Sequence, residues 1–181
     1  MLEIHIPDGE WFDERDSTFI YVDEQTLHLE HSLYAIALWE SRWEKPFLSK
    51  KPMSIDELMD YIRCMTIDAD VNPMVYKQMS NKDIERVKEY IASSRTATTV
   101  SDYSDGTGSS DEFITSEVIY FWMFYYHIDI SCEHWFFNRL MTLIKVCNAK
   151  TNPKKMSKRE IYDRQRSINQ ERRKALNARK G

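Results

Sequence analysis

Glycine and proline are scarce, at four and five in 181 residues. Sandwiches and barrels built on many tight turns draw on these residues, so their shortage argues against such folds and toward helix. Nine Met and abundant Glu, Lys and Arg push the same way, because unbranched side chains lose little freedom in a helix. Cysteine is also sparse: Cys64, Cys132 and Cys147 are odd in number and lack a CxxC spacing. They read as reduced core thiols, not as a disulfide or zinc framework. No run of about 18 apolar residues exists, since His127, Asp129 and Glu133 interrupt the longest, which leaves no transmembrane helix and no membrane partner. The opening MLEIHIPDGEW lacks the basic and apolar regions of a secretory signal, so the cytoplasm of the producing cell is the expected compartment.

What is present begins with a core and a charge split. An apolar content of 42% supports one domain with appendages. Residues 150–181 hold 12 Lys and Arg against 3 Asp and Glu, a net +9, while the first 149 residues carry −13. Each part should attract the other or an oppositely charged partner.

Along the chain, Leu2, Ile4 and Ile6 alternate with polar residues as a half-buried strand does, and Pro7-Asp8-Gly9 signals a turn. Thr18–Val22 and Thr26–Leu29 add two more short strands, so residues 1–29 read as a small antiparallel meander. Such a sheet needs an apolar surface to rest on. A helical core region, 30–149, should supply it. Leu33, Ile36, Ala37, Trp39 and Trp43 fall at helical spacing before Pro46. Ser54 and Glu57 form a capping box ahead of a stripe of Ile55, Leu58, Met59, Ile62 and Met65, and Ser80 and Asp83 offer a second cap ahead of Ile84, Val87 and Ile91. Ser, Thr, Asp and Gly dominate residues 93–113, which predicts a mobile surface loop. Its SDGTGSS lacks the Lys and the strand-to-helix setting of a phosphate loop.

Ser116–Asn148 is the densest apolar stretch, with nine Phe, Trp and Tyr. Val118, Phe121, Trp122 and Tyr125 define one helical face, and Ile119, Met123 and Tyr126 another. Ser131 is the predicted N-cap of a second helix carrying Phe136, Leu140, Leu143, Ile144 and Cys147. The two should pack antiparallel as a long αα-hairpin that forms the centre of the core and presents surplus apolar surface through Trp122, Tyr126, Trp135 and Phe137. Beyond Asn148 the chain turns basic, and Ser157–Arg179 is expected as an exposed helix that orders on a partner through Lys154, Lys155, Lys158, Arg159, Arg164, Arg166, Arg172 and Arg173. The expected fold is therefore mainly α (α+β), with a basic C-terminal helix or tail.

Catalytic constellations are thin. His28, Glu30 and His31 match no metal-binding spacing and read as surface and capping residues. Cys132, Glu133 and His134 are adjacent, so on a helix their side chains diverge by about 100° each. Arg139 should pair with Glu117 or Asp129. The expectation is a non-enzymatic protein with no catalytic residues, metal or cofactor.

Five segments carry a family resemblance: LEHSLYAIALWESRWEKPFL, DYIRCMTIDADVNPMVY, ITSEVIYFWM, CEHWFFNRLMTLIKVCN and PKKMSKREIYDRQRSINQERRKALNARKG. Together they span about residues 26–181. This chain resembles small proteins of tailed bacteriophages and prophages encoded near the tape-measure gene. The resemblance implies a tail assembly chaperone whose partners are the tape-measure protein or other tail proteins, working in the host cytoplasm, with a homo-oligomer as a further expectation. The basic tail departs from lambda-like chaperones, whose C-terminal extension arises by frameshift. Two alternatives belong to other classes. One is a structural virion component, such as a tail-completion or head-to-tail connector protein. The other is a nucleic-acid-binding module using the basic tail, disfavoured by its single aromatic, Tyr162, and by the acidic body.

Overall fold

The computed structural model describes residues 1–13 (backbone alone at 11 and 13), 17–49, 51–98, 114–151, 162 and 165–169. Most of the expected loop at 93–113, and Lys154, Lys155, Lys158, Arg159, Arg164, Arg172 and Arg173, lie outside the described residues. The chain divides into two compact units, Met1–Cys147 and Asn148–Gly181. The fold is mainly α with a small antiparallel β part: β1 (Leu2–Ile6), β2 (Gly9–Asp13), β3 (Thr18–Val22), β4 (Gln25–Leu29), α1 (Leu33–Trp43), α2 (Ile55–Met65), α3 (Asn81–Ala92), α4 (Ser116–Tyr125) and α5 (Phe137–Thr151), with single 3-10 turns at Val75–Gln78 and Ile130–His134.

The β part is a folded ribbon, not a meander. β1 pairs with β4, β2 pairs with β3, and all pairing is antiparallel. In both ladders the paired residue numbers add to 31, from Leu2 with Leu29 to Asp13 with Thr18. The four strands are thus one long hairpin with no slip in register. It is interrupted where Pro7 has no N–H to give, and where the same register sets Asp8 opposite Asp23, a like-charge pairing. Gly9, expected in a turn, instead starts β2. A Cβ there would come within 2.9 Å of the Gln78 Nε2, so glycine lets the ribbon lie close to that side chain.

The lower half of the ribbon is core. Alternation turns Ile4, Ile6, Leu27 and Leu29 inward, each fully buried, and leaves Glu3 and His5 outside. The outer edge of β4 is covered by the chain leaving α2: the Ile67 N–H donates to the His28 carbonyl at 2.9 Å, and the Glu30 N–H donates to the Met65 carbonyl at 2.9 Å.

Helix α1 is the hub. Its Ser32 cap takes the Ala35 N–H, its C-terminal Glu44 is left-handed at φ 50°, and Leu33, Ala35, Ile36 and Trp39 are buried against α2 and α4. Both capping boxes form: Ser54 and Glu57 exchange bonds of 3.2 and 2.7 Å at the start of α2, and Ser80 and Asp83 do the same at α3. Ile55 does not join the α2 stripe and is exposed, while Tyr61, absent from the predicted stripe, is fully buried.

Within the expected fold class the region 116–148 is arranged differently. Helix α4 packs on α1 instead of running along α5. The chain between them is held by a 3-10 turn capped by Asp129, not by Ser131, and α5 starts only at Phe137. Its entry is fixed to the start of α1, where the Phe137 N–H donates to the His31 carbonyl at 2.7 Å. Of the nine aromatics in the stretch, only Phe136 and Phe137 are buried, so the centre of the core lies instead between the ribbon, α1 and α2.

Candidate partner-binding surface

One acidic side chain orients α4. Thr115, at its N-cap, makes no side-chain capping bond. Glu40, buried on α1, takes that role: its Oε2 accepts the Ser116 N–H at 2.7 Å, and its Oε1 accepts the Phe47 N–H, also at 2.7 Å. A carboxylate at a helix N-terminus meets both an orphan donor and the positive end of the dipole. Ser116, Ile119 and Met123, at i, i+3 and i+7, then turn into the core.

The opposite side of α4 is aromatic and open. Phe121 is about 200° round from Ile119 at 3.6 residues per turn, and Phe124 and Tyr125 flank it. These three are 64%, 66% and 57% exposed. The Phe121 and Tyr125 rings stack with centroids 6.3 Å apart, and Tyr125 meets Tyr126 edge-on at 5.0 Å. Singly exposed apolar residues are ordinary, but three adjacent aromatic rings on one helical face form a contiguous patch of the kind that marks interaction sites.

The residues expected to bind a partner differ in their exposure. Trp122 and Tyr126 are half-buried on its shoulder. Trp135 is half-buried too and lies under the Arg139 guanidinium, 4.3 Å from the ring centroid, so Arg139 stacks instead of pairing with Glu117 or Asp129. Phe137 does not belong to a surface: it is 4% exposed and meets the His31 ring at 5.3 Å. Arg166 is exposed on a helical segment, 165–169, of the second unit. Phe121, Phe124 and Tyr125 are not among the contact residues expected from the sequence, which assigns Phe121 and Tyr125 to one helical face and Ile119 and Met123 to another without saying which turns inward. Which face turns outward depends on α1.

The tip of the ribbon carries a second exposed aromatic group. Phe12 and Phe19 are cross-strand partners with rings 5.0 Å apart, and Tyr21, on the same face, donates to Asp8 Oδ2 at 2.8 Å. Their exposures are 46%, 71% and 57%.

Groups that suggested chemistry by adjacency are drawn apart. His28 bonds Asp68 at 2.7 Å, Glu30 accepts the Tyr90 hydroxyl at 2.8 Å, and His31 is buried with its Nδ1 2.6 Å from the Tyr61 hydroxyl. Desolvation lowers His31 to about 4, so it is neutral in the folded protein at pH 7. Burial pushes the Cys132 thiol up, the opposite of what a thiolate nucleophile requires, and pushes Cys64 up to about 11. His134 is exposed, with its Nε2 3.4 Å from Glu133 Oε1, and Glu133 is engaged by the Tyr120 hydroxyl at 2.6 Å. Among the described residues no group of three His, Cys, Asp or Glu converges to hold a metal, and no helix is long and apolar enough to cross a membrane. Compared with protein-family models, curated proteins and solved structures, the chain matches none.

Proposed function

We propose that this chain is a non-enzymatic phage tail morphogenesis factor, a tail assembly chaperone that covers an apolar helical face of the tape-measure protein with the outer face of α4. The observation that carries the reading is the exposure of Phe121, Phe124 and Tyr125 at i, i+3 and i+4. That spacing matches the anchor pattern by which one amphipathic helix lies against another. The face is also rigid, since Ile119 and Met123 anchor its back and Glu40 its start. A preset aromatic surface loses little entropy on binding. The segments that resemble phage tail chaperones supply the client.

Phe121→Ser, Phe124→Ser and Tyr125→Ser combined should abolish co-purification of co-expressed tape-measure protein while the thermal transition stays within about 2 °C, because the removed rings are largely in water already. Undiminished capture by the folded triple variant refutes the reading. Retention of the chain in purified virions would favour the structural-component alternative.

A further inference from the structure

We propose that the exposed face of the β2–β3 tip is a docking surface for the basic segment 150–181 of a second copy of this chain, so that molecules associate head to tail.

The tip has the two properties such a segment needs. Its outward face is aromatic: Phe12, Phe19 and Tyr21 lie on one side of the ladder together with Glu10, the cross-strand partner of Tyr21. Its charge is of one sign: residues 8–24 hold seven Asp and Glu against the single Arg15. Aromatic faces edged by carboxylates suit guanidinium groups, which stack on the ring while donating to the oxygens beside it. Segment 150–181 supplies six Arg within its net +9. The ladder itself is open, because among the described residues β2 and β3 pair only with each other, leaving backbone donors and acceptors along both edges.

The occupant follows from charge and stoichiometry. Every molecule carries one acidic aromatic tip and one basic segment, which are different surfaces, so association between copies is heterologous and each contact leaves a further tip and a further segment open. A like-charged body, −13 over the first 149 residues, disfavours contact between two bodies unless a basic element lies between them. The inference is independent of the α4 face, which is apolar on its outer side.

Sedimentation velocity on the full chain tests it, with variants on both sides of the contact. At about 50 mM NaCl the chain should associate with concentration, and at about 500 mM the association should fall away as the Debye length shrinks. Phe12→Ser with Phe19→Ser, Glu10→Lys with Asp23→Lys, and Arg172→Glu with Arg173→Glu should each weaken association at least about tenfold. Joining the last two pairs in one chain should restore it to within about threefold, because opposite charges face each other again. Circular dichroism of each variant checks the fold, and the Arg172 and Arg173 substitutions lie outside the unit that contains the ribbon. A chain that stays monomeric at low salt overturns the proposal. So does association that the ribbon variants leave unchanged, or a charge exchange that fails to restore it.

Discussion

Removal of Glu40 should loosen the start of α4, and the structure sets the size of the effect. Its carboxylate accepts two backbone N–H groups, from Phe47 and Ser116, each at 2.7 Å, and it is buried. Hydrogen bonds to a charged acceptor contribute roughly 1.5–3 kcal/mol each, and a donor left buried without a partner costs about as much. Glu40→Ala loses both bonds but also removes a desolvated charge, which offsets part of the loss; a net destabilisation of about 3 kcal/mol follows. For a chain of this size that is a melting shift of roughly 6–12 °C. Glu40→Gln keeps one acceptor oxygen and turns its NH2 toward a donor, so it should lose about 2 kcal/mol. Ser116 is the first residue of α4, a position where proline keeps helical geometry while removing the N–H. In a Ser116→Pro background the cost of Glu40→Ala should shrink by about 1.5 kcal/mol, because one of the two donors is already gone. Urea unfolding of the four proteins in this cycle measures the coupling, and hydrogen exchange over residues 114–125 localises it. A Glu40→Ala cost below about 1 kcal/mol, or strictly additive effects, would refute the assignment of Glu40 as the cap of α4.

Two further predictions concern the core and its pH response. Met123→Ala should cost about 2–5 kcal/mol and Phe124→Ala under about 0.5 kcal/mol in urea unfolding, since one side chain is fully buried and the other is 66% exposed. Buried neutral His31 is lowered to about 4 in the folded protein against an ordinary value of 6.5. The unfolded chain therefore takes up the proton first. The stability that His31 contributes is complete above pH 6.5 and is lost as pH falls from there toward 4, by about 3 kcal/mol in all. Urea midpoints between pH 7 and 4.5 should show that slope, and His31→Asn should flatten it.

Local chemistry was legible wherever it was self-contained. Ser54 with Glu57 and Ser80 with Asp83 close their capping boxes within four residues, so the local sequence suffices to write them, even though Lys45 also reaches Glu57 Oε1 at 2.6 Å. The alternation of Ile4 and Ile6, and of Leu27 and Leu29, likewise states which side of each strand is apolar. The ribbon was harder to read. Pro7-Asp8-Gly9 carries the residues of a turn, yet one register runs past it, because pairing of β1 with β4 and of β2 with β3 holds the chain extended on either side. A local turn preference is worth less than two ladders and a buried face.

The sequence by itself determined the mainly α class, the capped starts of α2 and α3, the apolar faces of the ribbon, and the opposition between an acidic body and a basic end. Only the tertiary structure decided which aromatic residues are available to a partner. The segment around α4 is apolar on every side, so its pattern names no inward face. That choice is made by α1 through the carboxylate of Glu40, 76 residues before Ser116, and by the packing of Ile119 and Met123. Those contacts turn Phe121, Phe124 and Tyr125 outward and leave Phe137 inside against His31. Burial depends on what a surface meets, and the residues that meet here are far apart in the chain.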